Sequence, residues 1–321
     1  MRLASADPRD PRLHSCRRRA RDLRAARRQC AGSVSADPAA AVVKNRPLAI
    51  IAGAGDFPLQ LASLAAASGR PVFIAALEGA AVPAAFGQAD LQSYRLGQLG
   101  RLLEDLRRRD IADLVLIGSL PRPSFGALRP EASTLKYLPH FARAFRGGDD
   151  HLLRGVVAFF EGQGFTVHGP ADVAPQMTAP IGPLGRKVAS VAQRDLMTRG
   201  FQLLAALSPF DVGQAAILAD HRVIAIEAAE GTDAMIRRVA DLVASGRLRI
   251  AKGDGVLVKA PKDGQDLRVD MPAIGSETLR NVTAAGLSGI GLRAGRVLVG
   301  DAAALAKLAD QSSLFVEGVP S

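Results

Sequence analysis

The sequence predicts an α/β protein: a parallel-sheet domain followed by a second α/β domain. Three observations carry this. Short apolar runs end in glycine, and amphipathic stretches separate them at strand–helix–strand spacing. No stretch approaches the roughly 18–20 consecutive apolar residues that a membrane span needs.

The first strand lies in Pro47-Leu48-Ala49-Ile50-Ile51-Ala52, and Gly53-Ala54-Gly55-Asp56 forms the turn after it. Pro58 suits the first turn of a helix, and Leu59, Leu61, Leu64 and Ala65 give that helix an apolar stripe. Val72–Leu77 is the next strand. Leu99, Leu102, Leu103 and Leu106 mark a second helix, and 111–117 is a third strand ending at Gly118. Such alternation implies right-handed crossovers and a Rossmann-like parallel sheet. Helices are expected around 135–146 and 150–163. In 168–185, four prolines and three glycines read as a domain boundary. Beyond it come a helix over 189–207, strands near 216–218, 223–226 and 255–258, and helix starts near Thr232, Ser276 and Asp301. Gly286–Gly291 reads as a turn with a short strand, and Val297–Val299 as another strand. The expected division is a disordered basic extension over 1–46, a first domain over 47–168, a linker over 169–185 and a catalytic domain over 186–321. With no Trp and few aromatics, the cores are expected to be built from Ala, Val, Leu and Ile.

The net charge of +10 suggests nucleic acid at first sight, but its distribution argues otherwise. Residues 1–46 hold 12 basic against 4 acidic residues, leaving 29 against 27 in the rest. The body is nearly neutral, so no nucleic-acid partner is expected. The head is rich in Arg, Ala, Ser and Pro and too poor in apolar residues to offset its ordering entropy. It reads as a disordered extension or a start placed too early, with a targeting segment or basic tail as alternatives. Cys16 and Cys30 both lie there, which excludes cysteine-ligated metal and disulfides from the body and fits a reducing cytoplasm. The five histidines, His14, His140, His151, His168 and His221, show no metal-like pairing. Any metal should therefore be oxygen-ligated, as Mg²⁺ is.

Five motifs carry candidate chemistry. In the first, Gly53, Gly55 and Asp56 end a strand where a helix N-terminus offers N–H groups to an anion. A plain turn is the competing reading. Glu78, near the end of the second strand, keeps an NAD(P) oxidoreductase open. Gly118-Ser119-Leu120-Pro121-Arg122-Pro123 follows the third strand, the edge where open parallel sheets bind ligands. Gly147-Gly148-Asp149-Asp150 opens a helix, as an N-cap or a ribose or metal contact. Glu227 to Arg238 places Glu230, Thr232 and Asp233 at a strand–helix junction, suited to a cation, a phosphate or simple capping. Lastly, Lys259, Lys262 and Arg268 gather near Asp270. Nearby cations keep a carboxylate ionised, a useful state for a metal ligand or a base beside phosphate.

In this order and spacing the motifs resemble the metal-dependent UDP-2,3-diacylglucosamine pyrophosphatase family of bacterial lipid A synthesis, the two-domain α/β type rather than the calcineurin-like type. EAAEGTDAMIRRV, VLVKAPK and RVDMPAIG are the most specific stretches, and the resemblance spans 47–321. It implies cleavage of UDP-2,3-diacylglucosamine to UMP and 2,3-diacylglucosamine 1-phosphate between the domains. It also implies a divalent cation, Mg²⁺ or Mn²⁺, a homodimer, and transient contact with the cytoplasmic face of the inner membrane. Asp270 stands at the required aspartate of the R-V-D-x-P motif, as metal ligand or water-orienting base, and Asp233 or Glu230 would share the metal. Candidate substrate-binding residues are Gly53, Gly55, Asp56, Ser119, Arg122, Asp149, Gln214, Thr232, Lys259, Lys262 and Arg268. Two departures bear on binding detail: Ser119 stands where some relatives have Asn, and the turn reads Gly-Ala-Gly-Asp where relatives have more glycines. A nucleotide-sugar-binding module without turnover is the non-enzymatic alternative.

Overall fold

β1 (Leu48–Ala52) is fully buried, because its run of apolar residues is covered on both faces. It pairs in parallel with β2 (Val72–Leu77) on one side and β4 (Asp113–Ile117) on the other. With β3 (Asp90–Tyr94) and β5 (Thr166–His168) these form a five-stranded sheet, ordered β3-β2-β1-β4-β5 and parallel throughout. The order reverses between β1 and β4, which opens a crevice at their carboxyl ends. The computed structural model describes residues 46–120, 130–144, 149–251 and 253–320. The basic head and Arg122 lie outside the described residues, as do the side chains of Asp149 and Asp150.

Helix α1 (Phe57–Ala67) covers one face of this sheet through Pro58, Leu61 and Ala65. The other face carries α2 (Leu99–Arg108), the short α3 (Leu138–Ala144) and α4 (Asp149–Gly162). An all-aliphatic core was expected, but this second face gathers Phe73, Tyr94, Phe159, Phe160 and Phe165. Tyr137 and Phe141 pack against this cluster, with ring centroids 5.0–6.2 Å apart from Tyr137 through Phe165.

The proline-rich stretch, expected as a linker, carries local structure of its own. Pro170–Val173 makes a helical turn, and Gly182–Pro183 (β6) pairs with a strand of the second sheet. Met177 is buried in the first domain's core and Ala179 in the second's, so burial rather than flexibility fixes the crossing.

The second sheet has six strands, ordered β6-β11-β10-β9-β7-β8, with β7 (Ala215–Ala219), β8 (Arg222–Ile226), β9 (Val256–Lys259), β10 (Gly289–Arg293) and β11 (Phe315–Val319). β9, β10 and β11 are parallel, while β6, β7 and β8 run against their neighbours. Helix α5 (Val191–Leu207) packs on one face, and α6 (Thr232–Ala244), α7 (Ser276–Ala284) and α8 (Ala302–Gln311) on the other. Val297–Val299, expected as a strand, makes only isolated bridges from Leu298 to Thr178 and Ala273.

Candidate active site

The carboxyl ends of β1 and β4 meet backbone to backbone. Gly53 N donates to Ile117 O at 2.8 Å, Ala54 N to Ser119 O at 2.8 Å and Ser119 N to Ala54 O at 2.9 Å. The approach is so close that a Cβ on Gly53 would lie 2.6 Å from Ser119 O. Gly53 is therefore required by the crossing itself. Gly55 differs: at φ +98° with open space around it, it supplies a left-handed turn facing the cleft.

From this crossing a cleft of about 650 Å³ runs to the loops of the second sheet. Ala54, Gly55, Asp56, Gly118 and Ser119 line it on one side, and Arg268 to Met271, Gly275, Ser276, Gly300 and Asp301 on the other. The N-termini of α1, α7 and α8 all reach its wall, through Phe57, Ser276 and the cap Asp301. Helix N-termini carry unpaired N–H groups and the positive end of a dipole, which suit phosphate oxygens; at α8 the Asp301 carboxylate itself accepts from Ala304 N at 2.9 Å.

Most of the charged side chains on the described wall have the opposite sign. Asp56, Asp270 and Asp301 are carboxylates, and Arg268 is the single cation among the described lining residues. Arg268 is already committed. Its Nε and Nη2 donate to Asp266 at 2.9 and 2.7 Å, and its Nη1 donates to Glu161 on α4 at 2.6 Å. These bonds, Asp266 first, raise its pKa far above the ordinary arginine range, and Arg268 in return holds Asp266 below the carboxylate range. The trio ties the loop bearing Asp270 to the first domain. Within that loop the buried Gln265 donates from Nε2 to Asp270 Oδ2, while its Oε1 accepts from Lys262 N at 2.8 Å.

Behind the cleft lies a buried polar node. Lys259 ends β9 with 5% exposure, and its Nζ donates to Thr232 Oγ1. Thr232 donates to Glu227 Oε1 at 3.0 Å, and Glu227 Oε2 accepts from Gln214 N at 3.0 Å. Burial pushes the Lys259 amine below the ordinary lysine range, against the pull of Glu227, Asp233 and Asp270.

The sequence-predicted residues thus separate into groups. Gly55, Asp56, Ser119, Arg268 and Asp270 line one cleft, with Gly53 as its structural hinge. Gln214, Thr232 and Lys259 form the node behind it, outside the lining. Lys262 pairs with Asp211 instead of pointing to Asp270. Asp233 Oδ1 accepts from Asn281 at 3.2 Å, and Glu230 pairs with Arg238 at 2.9 Å; neither lines the cleft. Glu78 follows the end of β2 and is not among the residues that line the cleft. Sequence reasoning did not reach Gln265, Gly275, Ser276, Gly300 and Asp301 as site residues. Helix starts at Ser276 and Asp301 were legible, but their convergence on one cleft was not.

Two α/β sheets with a cleft of about 650 Å³ walled by three helix N-termini define a class first: two-domain α/β proteins with a cleft at the carboxyl edge of a parallel sheet. The family follows from the comparisons. The family model of the LpxI N-terminal domain matches residues 47–177, and that of the LpxI C-terminal domain matches residues 180–317. UDP-2,3-diacylglucosamine pyrophosphatase LpxI of Caulobacter vibrioides is 40% identical over 276 residues, covering 85% of this chain and 98% of that protein. The chain belongs to the LpxI family. A solved structure of glycinamide-RNase-transformylase T from Mycobacterium tuberculosis aligns with 57% of this chain and 44% of its own at 18% identity, with a TM-score of 0.21, too low to carry an argument.

Proposed function

We propose that the chain hydrolyses the pyrophosphate of UDP-2,3-diacylglucosamine, giving UMP and 2,3-diacylglucosamine 1-phosphate for lipid A synthesis. The observation that carries this is the placement of Asp270 on a cleft walled by three helix N-termini. Backbone N–H groups there suit the diphosphate oxygens. Asp270, with one oxygen held by Gln265, orients the attacking water. An oxygen–phosphorus bond forms, the bridging bond breaks, and two phosphate monoesters leave.

The charge balance supports a divalent cation. A diphosphate entering beside Asp56, Asp270 and Asp301 meets like charge, and Arg268 is occupied by Asp266 and Glu161. Among the described residues no three His, Cys, Asp or Glu gather into a metal cage. That fits an ion held by one carboxylate with water and substrate oxygens completing its shell, as Mg²⁺ commonly is. Asp270 is the residue that would hold Mg²⁺ or Mn²⁺, and the ion would neutralise charge developing on the diphosphate. Asp233, bonded to Asn281 and close enough to act on Lys259, fits a supporting role better than ligation.

No helix among the described residues is long and apolar enough to cross a membrane. A diacylated substrate places the reaction at the cytoplasmic surface of the inner membrane, with the enzyme in transient contact.

Asp270→Ala tests the assignment. UMP release should fall on the order of 10²–10⁴-fold, while calorimetry still detects substrate binding. Near-normal turnover by this variant would sink it.

A further inference from the structure

The first domain holds a second cavity, of about 210 Å³, at the same carboxyl edge of the sheet as the cleft. Its wall is hydrocarbon: Leu77, Leu99, Leu116, Leu138, Phe141 and Val156 are representative. Four polar side chains border it, Tyr94, Arg95, Gln98 and Thr134, and each has a protein partner; Arg95 Nη2 donates to Glu131 at 3.4 Å. Tyr94 Oη donates to Asp105 at 2.6 Å. Gln98 donates to Glu131 at 2.7 Å and accepts from Arg95 N at 2.9 Å. Thr134 Oγ1 accepts from Gly100 N at 3.1 Å. A ligand entering this cavity therefore meets apolar surface and spent hydrogen-bonding groups, which suits a hydrocarbon chain and penalises a polar guest.

Position links the cavity to the chemistry. Leu116 lines both the cavity and the catalytic cleft. Val269, next to Asp270, packs against the apolar cluster on the same face of the sheet. The mouth of the cavity carries Leu96 and Leu120, exposed to 37% and 40%. Exposed leucines beside an apolar cavity suit entry from a lipid surface.

We infer that this cavity is the subsite for one acyl chain of the substrate; the inference rests on the proposed hydrolase reading and extends it to chain recognition. The volume is below the roughly 300–1,000 Å³ of pockets that enclose a whole drug-sized ligand, so the cavity takes part of the substrate and not all of it. The other chain stays outside, where the membrane can keep it.

The test has two arms. In the first, UMP release is measured on UDP-diacylglucosamines with progressively shorter chains. Each methylene lost from the buried chain should lower kcat/KM about four-fold. Leu138→Trp, which fills the cavity from α3, should cut the long-chain to short-chain ratio of kcat/KM by more than ten-fold. An unchanged ratio would overturn the subsite. In the second arm, wild-type protein is photolabelled with a substrate carrying a diazirine at one chain end. Labelled peptides should contain Leu138, Phe141 or Val156, and labelling confined to other segments would overturn the subsite even if Leu138→Trp fails to fold. Labelling in the cavity without turnover on any chain length would support the chain site and refute the hydrolase reading, so the two failures are distinguishable.

Discussion

Asp113 and Asp270 are both aspartates at the ends of a sheet, yet they sit in opposite settings. Asp113 is at the amino edge of the first sheet, 2% exposed. Arg70 donates to its Oδ2 at 2.7 Å, Arg46 Nε lies at 3.8 Å and His168 Nε2 at 3.2 Å. Asp270 is at the carboxyl side of the second sheet, half-buried on a cleft, with a neutral amide from Gln265 on one oxygen. The first arrangement neutralises a carboxylate inside the core. The second sets a half-buried carboxylate on the wall of a cleft, within electrostatic reach of the buried Lys259. The contrast is one of placement: Asp113 is held among cations in the core, and Asp270 lines the cleft.

The sharpest way to break the comparison is to remove each carboxylate. Asp270→Ala should lose on the order of 10²–10⁴-fold in UMP release with its melting temperature nearly retained. Asp113→Ala should do the reverse. It strands the buried Arg70, whose pKa burial already lowers, and should cost roughly 3–5 kcal/mol in denaturant unfolding with turnover per folded molecule preserved. A smaller effect is expected at the β1–β4 crossing. Gly53→Ala drives a methyl against Ser119 O and should destabilise by roughly 1–3 kcal/mol, while also lowering activity because Ser119 moves.

The smallest effect concerns pH. Arg268 depresses the folded-state pKa of Asp266, so that pair's stabilisation is present above the unfolded carboxylate pKa and lost as pH falls through the lower folded value. Asp266→Asn should flatten the acid limb of a melting-temperature profile below about pH 4. The change should stay under about 1 kcal/mol because the pair is partly exposed. An acid limb identical to the wild type would contradict it.

Much of this was legible in the sequence, for identifiable reasons. β1, β2 and β4 declare themselves because buried parallel strands are unbroken apolar runs. β3 (DLQSY) does not, since it is a polar edge strand, and β5 has only three residues. β11 hides because Glu317 interrupts its pattern; Arg194 on α5, 3.0 Å away, makes that charge tolerable. At the site, Asp270 stood out through its motif. Gln265 did not, because a side-chain amide reaching five residues along a turn leaves no periodic trace. Lys259 is legible as a candidate phosphate partner, but its burial is not, because a lysine ending a short strand carries no sign of depth.

The most direct measurement of the central claim uses the intact wild-type chain, UDP-2,3-diacylglucosamine and Mg²⁺, with and without EDTA, following UMP by chromatography. Equimolar UMP and diacylglucosamine 1-phosphate should form with Mg²⁺, and little of either once the cation is chelated. Substrate recovered intact in the presence of Mg²⁺ would contradict it.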